Sequence, residues 1–321
     1  MRLKPGRPDL QRYAARFDVP PADGSSGGTS GGSSDGRPVV TFAGVSTLLI
    51  DDGETALLTD GYFSRPGLLR VGLGRVAPDA RRIDAALGRL GVDRLAVVAP
   101  VHTHIDHALD SAVVAQRTGA VLAGGASATY VGLGGGLPQD RLHRVEPGRP
   151  HTWGAFTLTW VESAHCPPDR FPGAITAPVV PPVRATAYRC GEAWSLLLSH
   201  ASGRTALVQG SAGFVPGALA SHRAEVAYLG VGQLGVQPER YLEHYWTSTV
   251  RAVGARRVVL THWDDFFRSL EHPLRALPYV GDDLDLTMAV LGRLAAEDGV
   301  ALHLPTAFRR EDPWAGLATG S

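Results

Sequence analysis

One short stretch limits what this chain can fold into more than any other. The apolar run Leu95–Pro100 leads straight into Val101–Asp110, VHTHIDHALD. His102 and His104 are two residues apart at the end of what reads as a buried strand, so in an extended backbone they project from one face. Asp106 and His107 follow where the chain turns into a helix. A lone histidine here would read as a solvated group, and a lone aspartate as a helix cap. Four such groups within six residues can instead converge on one small volume. Neutral imidazoles bind zinc, manganese or iron readily, and a carboxylate shifts preference toward harder divalent ions. The fold must therefore bury the strand and leave its carboxyl end open.

The remaining pattern supplies a layered scaffold. Val39–Ala43, Ser46–Ile50 and Ala56–Thr59 read as strands, with Asp51-Asp52-Gly53 as a hairpin turn. A helix at Ile83–Leu90, a strand at Leu95–Ala99, a helix at about His107–Thr118 and a strand at Ala120–Leu122 complete a first half. A second series has strands at Ala155–Val161, Ala185–Arg189, Ser195–Ser199 and Thr205–Gln209. Glu225–Leu229, a helix at Pro238–Val253, a strand at Arg257–Thr261 and a helix at Asp283–Ala296 follow. Each half starts with antiparallel-looking strands and ends in strand–helix alternation, which predicts an α/β fold of two mixed sheets facing each other with helices outside. The run Gly132–Gly136 and the stretches Cys166–Val183 and Asp264–Val280 read as loops. Residues 1–37 read as an N-terminal segment ending in a flexible Gly/Ser-rich linker, Ala22–Gly36, ahead of a single domain over 38–321.

Composition narrows the function classes. Lys+Arg and Asp+Glu both number 31, and charged residues make up only 19% of the chain, so no basic field is available to hold nucleic acid. The longest apolar runs fall far short of the roughly 18 residues that span a bilayer. A soluble, cytoplasmic protein acting on a small molecule, with no nucleic-acid or membrane partner, is the expectation. Two cysteines, Cys166 and Cys190, fit a reduced compartment.

The segment His102-Thr103-His104-Ile105-Asp106-His107 resembles the signature of the metallo-β-lactamase fold superfamily, an αββα sandwich with a one- or two-metal centre at one edge. Further motifs follow in the order that the resemblance implies. Asp60, ending Leu57-Leu58-Thr59-Asp60, resembles the strand-end aspartate that supports the metal loop. His165 in Glu162-Ser163-Ala164-His165 resembles the third histidine of the first metal, beside His102 and His104. His262, ending Val258-Val259-Leu260-Thr261-His262, resembles the last histidine, on the second metal, and Asp106 and His107 are metal ligands too in the resemblance. The start Gly44-Val45-Ser46-Thr47 is most similar to the branch that holds ascorbate-6-phosphate lactonase and phospholipase D-like phosphodiesterases.

The resemblance breaks at one position: where the family has a metal-bridging aspartate, this chain has Ser211 in Gln209-Gly210-Ser211-Ala212-Gly213. Asp264, or failing it Glu162, is the candidate to replace that carboxylate; otherwise the three-histidine site alone is filled. The resemblance implies a metal-dependent hydrolase with one or two zinc ions, or iron or manganese. In it a metal-held hydroxide attacks an ester, lactone, thioester or phosphodiester, and Asp106 orients it or passes a proton. An iron-dependent oxidoreductase on the same scaffold, or a non-catalytic metal-binding member, are the alternatives. Trp263, Phe266, Phe267 and Phe171 are candidates to line an apolar pocket, and Arg184 to hold an anionic group. Cys166 follows His165 and could be a soft ligand, but a strand residue next to a ligand points away, so it reads as structural. His143, His151, His200, His222, His244, His272 and His303 show no partner pattern and read as surface or capping residues.

Overall fold

Short apolar runs broken by turns build the first layer of the computed structural model, which describes residues 4–22 and 36–318. Strands β1 (Val39–Phe42), β2 (Leu48–Asp51) and β3 (Ala56–Thr59) form an antiparallel meander. Its second turn is shaped by aspartates: Asp51 accepts from the Gly53 N–H at 2.6 Å, and Asp52 from those of Glu54 and Thr55 at 2.9 and 2.7 Å. After α1 (Leu68–Leu73), helix α2 (Ala80–Leu90) is capped by the Asp79 side chain and stopped by left-handed Gly91. It buries Ile83, Ala86, Leu87 and Leu90, the spacing of one helix face. Then come β4 (Val97–Ala99), the single turn α3 (Ile105–Ala108), α4 (Ser111–Thr118), β5 (Val121–Gly124), α5 (Ala126–Gly134) and β6 (Leu142–Arg144).

The second layer repeats this plan. Strands β7 (Pro150–Trp153), β8 (Phe156–Glu162), β9 (Trp194–His200) and β10 (Thr205–Gln209) are antiparallel neighbours. Strand β11 (Val226–Gly230), helix α6 (Glu239–Trp246), strand β12 (Arg257–Thr261), helix α7 (Leu284–Asp298) and strand β13 (Ala301–His303) extend the sheet in parallel. The last strand, β14 (Arg310–Glu311), returns to the first sheet and pairs with β1. Both sheets have seven strands, in the orders β14-β1-β2-β3-β4-β5-β6 and β13-β12-β11-β10-β9-β8-β7. Each is antiparallel over its first part and parallel over its second, so the expected pair of similar α/β halves is the architecture found: two mixed sheets flanked by helices.

Period-two alternation explains the continuous apolar runs. Leu48, Ile50, Leu57, Val97 and Ala99 point into the core between the sheets, with Trp160, Leu196 and Leu198 opposite. Leu49, Leu58 and Val98, their neighbours in sequence, point the other way onto α2 and α4. The central strands are thus buried on both faces. Residues 4–22 lie along the chain's end: Val19 joins the central core, Pro21 bridges Glu311, and the Ala22 N–H reaches Arg310 O at 3.1 Å. Of the Gly/Ser-rich stretch Ala22–Gly36, residues 23–35 lie outside the described residues.

Two element readings need correction. Ala185–Arg189 is no strand; Ala185–Ala187 is a 3-10 turn within the long connection from β8 to β9. Gly132–Gly136 is not simply a loop, because α5 runs through Gly134. Its glycines permit close approach: a Cβ on Gly134 would lie 1.9 Å from Val179 O, and one on Gly132 2.4 Å from Leu142. Tertiary contact here outweighs poor helix propensity.

Candidate metal centre

Strand ends place the chemistry. The carboxyl end of β3 delivers Asp60, that of β4 His102 and His104, that of β8 His165, that of β10 Ser211, and that of β12 His262. Ligands meet at such strand ends in layered α/β folds. The Thr103 N–H donates to Cys190 O at 2.8 Å and the Trp194 N–H to Val101 O at 2.9 Å, which clips the histidine segment of one half to the other half. Two of the residues involved sit in left-handed backbone, Asp60 at φ 54° and His262 at φ 58°. For residues with a Cβ this costs on the order of 1 kcal/mol or more, and such strain gathers at functional sites.

Six of the expected residues fall into two triads. Ring nitrogens of His102, His104 and His165 lie within 4.8 Å of one another, and so do donor atoms of Asp106, His107 and His262. His102 Nε2 is 3.2 Å from His104 Nδ1, and His262 Nε2 is 3.2 Å from an Asp106 oxygen. The His102 and His107 rings are 3.9 Å apart, centroid to centroid, so the triads adjoin. Outward nitrogens are held by acceptors. His107 Nδ1 faces Asp60 at 2.8 Å and His165 Nδ1 faces Cys166 O at 2.7 Å. Asp60 also accepts from the Val101 N–H at 2.9 Å and is fully buried.

The donor set fits a divalent cation. His107 Nε2 is buried without a hydrogen-bond partner, while Asp60 occupies the other side of the ring. An orphaned imidazole nitrogen aimed at a carboxylate and a second imidazole is what a ligand position requires. Burial keeps the first triad neutral: it pushes His102 well below the usual histidine range, lowers His104, and with the neighbouring His104 brings His165 down to about 4. Asp106 is ionised, because His107 and the hydrogen-bonded His262 outweigh the upward push of burial.

The remaining candidates are placed elsewhere or differently. The Ser211 hydroxyl accepts the Cys166 N–H at 3.1 Å. A Cβ on Gly213 would lie 2.1 Å from Ala164 O, so the Ser211 loop lies directly against the His165 segment. Asp264 belongs to neither triad: it is completely buried, accepts the Val45 N–H at 2.8 Å and pairs with the equally buried Arg65 at 2.7 Å. Glu162 is exposed at the end of β8, and Arg184 is exposed too. Phe266 stands edge-on to His262 at 5.7 Å and Phe171 edge-on to His104 at 6.3 Å, whereas Trp263 is core, packed on Phe17 and Phe42. Phe267 stacks on Phe266 at 4.3 Å. Two histidines read as surface or capping groups are in fact buried against acids, His200 with Asp52 at 3.1 Å and His303 with Asp18 at 2.6 Å.

Similarity to known proteins agrees with this geometry. No family model matches the sequence, and no curated protein matches it in sequence. Solved structures do match in shape. Igni18, a metallo hydrolase from the archaeon Ignicoccus hospitalis, aligns with a TM-score of 0.51 at 12% identity, covering 85% of this chain and 97% of that one. The chain has the metallo-β-lactamase fold. Within that fold, an isothiocyanate hydrolase from Delia radicum gut bacteria aligns with a TM-score of 0.50 at 12% identity, over 86% of this chain and 99% of its own. CmlA, a diiron β-hydroxylase from Streptomyces venezuelae, aligns with a TM-score of 0.54 at 13% identity, over 84% of this chain and 53% of its own. Among the described residues no helix is long and apolar enough to cross a membrane.

One participant escaped the sequence reading. Asp169, in the proline-rich stretch after His165, sits 3.2 Å from His104 Nε2. The only sequence signal was its place in a loop next to a candidate ligand.

Proposed function

We propose that the protein is a metal-dependent hydrolase that cleaves an ester, lactone, thioester or phosphodiester of a small molecule in the cytoplasm. The observation that carries this reading is the pair of adjoining triads, His102/His104/His165 and Asp106/His107/His262. Zinc suits both, one or two ions per chain, with iron or manganese as the alternative metals. When bound, such an ion lowers the pKa of water and polarises a carbonyl or phosphoryl oxygen. The chain's own part is positioning. Asp106 is ionised at neutral pH, with one oxygen facing His262 Nε2, 3.2 Å away, so its part is to orient the attacking oxygen as an acceptor. Asp60 fixes the His107 ring. Phe171 and Phe266 stand edge-on to His104 and His262 and flank the centre with apolar surface.

The substrate side of the reading rests on charge. Segments 61–78 and 170–191, joined by the Val76–Val183 bridge, contain arginines 65, 70, 75, 170, 184 and 189, with acids only at their borders, Asp79, Asp169 and Glu192. Only Arg65 among them is buried in an ion pair. This local excess, in a chain whose total charge cancels, favours an anionic substrate such as a phosphodiester or a carboxylate-bearing ester. We further take residues 38–321 as one working domain, since each triad draws on distant parts of the chain.

The test is elemental analysis of protein purified without added metal, followed by assays on phosphodiesters, lactones and thioesters. His104→Ala should lower bound metal and turnover together; full turnover in a metal-depleted His104→Ala protein would refute the reading. The shared fold with a diiron β-hydroxylase supports a second reading, an iron oxidoreductase. Coloured, iron-loaded protein would favour it, and colourless protein with stoichiometric zinc would exclude it.

A further inference from the structure

The first triad consists of three imidazoles, and it contains no carboxylate of its own. A divalent cation among them depends on charge supplied from outside the triad, and on each ring presenting the correct nitrogen. His104 turns Nδ1 toward His102 Nε2 at 3.2 Å, so its Nε2 points away from the triad. That outward nitrogen meets two acceptors, Asp169 Oδ1 at 3.2 Å and Phe171 O at 3.3 Å.

Resting on the metal reading above, we propose that Asp169 is the positioning residue of the three-histidine site. Its carboxylate takes the Nε2–H of His104, fixes the tautomer that leaves Nδ1 free toward the cation, and lends negative charge through the ring. Outer partners of this kind set ring orientation and raise ligand basicity. The placement is built rather than incidental. Asp169 Oδ1 also accepts the Phe171 N–H at 3.0 Å, which folds the loop back on itself. Phe171 O in turn accepts the Cys190 N–H at 2.9 Å, and Gly173 O the Gly191 N–H at 3.0 Å. The same strip, 189–194, clips the histidine segment at Thr103, so His104 and its acceptor are anchored to one backbone. Cys190 lies close enough to Asp169 and His104 to suggest a further metal site. His104 Nε2, however, is already committed as a donor to Asp169 and Phe171 O, which leaves that trio without its imidazole ligand.

Asp169→Ala and Asp169→Asn test this, with zinc alone as the probe. The readouts are chelator-competition affinities for each zinc and the melting of the metal-free protein. We expect one zinc to weaken about 10–100-fold in Asp169→Ala, with a smaller loss in Asp169→Asn, which keeps an acceptor but no charge. The other zinc and the metal-free melt should be unchanged. Zinc affinities within twofold of wild type in Asp169→Ala, or an equal loss at both sites, would overturn the inference. Wild-type protein that binds no zinc would instead overturn the metal reading itself, so the two failures are distinguishable.

Discussion

Replacing Asp264 by asparagine asks what that carboxylate is for. The amide side chain keeps an oxygen for the Val45 N–H, which the carboxylate holds at 2.8 Å, and changes the volume little. What the substitution removes is the charge facing Arg65 Nη1, on a side chain with no exposed surface whose Nε and Nη2 have no hydrogen-bond partner. Breaking a buried pair from one side costs about 3–5 kcal/mol, because the remaining ion is left uncompensated in a poorly solvating interior. At about 2 °C per kcal/mol for a chain of this size, that is roughly a 6–10 °C fall in melting temperature. The assay is urea unfolding of chelator-treated protein followed by circular dichroism, with an unchanged denaturant slope. The double variant Arg65→Met/Asp264→Leu removes both charges and should recover most of the loss. A cost below about 1 kcal/mol for Asp264→Asn would refute the reasoning. So would retained stability with loss of zinc, since that would make Asp264 a ligand rather than a structural anion.

Two other outcomes follow from local geometry. Gly44→Ala places a methyl 1.9 Å from Arg65 Nη2 at φ 90°, and should cost about 1–3 kcal/mol or more in the same unfolding assay; a neutral result would mean that Arg65 has room to move. Asp110 is fully buried, and burial lifts it to about 6 despite bonds from the Phe63 and Ser64 N–H groups and the Ser64 hydroxyl. A carboxyl raised in the folded state contributes stability that is complete below its ordinary value of 3.8 and lost as pH rises through about 6. Asp110→Asn should therefore gain on wild type by up to roughly 3 kcal/mol between pH 4 and 7, at about 1.4 kcal/mol per unit. A pH-independent difference in urea midpoints would count against it.

The two triads were legible in sequence because their first four members are local, and because His165 and His262 each follow an apolar strand. The layered fold was legible for the same reason, since strands buried on both faces read as unbroken apolar runs. Asp264 misled because two residues of extended chain share a face. His262, however, sits at φ 58°, and that turn carries Asp264 away to Arg65. Asp169 was invisible because its meeting with His104 spans 65 residues of chain and arises only when the proline-rich loop folds back. Helix α5 was missed because glycine counts against a helix locally, whereas here it admits the Val179 backbone.

The return of β14 to the first sheet has a consequence for synthesis. Strands β1 to β6 leave the ribosome first, yet the outer edge of β1 is met by Phe308, Arg310 and Glu311, more than 260 residues later. Until residues 310 and 311 have been made, the nascent first layer shows an unpaired apolar edge, the kind of surface that recruits neighbouring chains. Chains truncated before residue 310 should aggregate during expression even though every metal-ligand candidate has already been made.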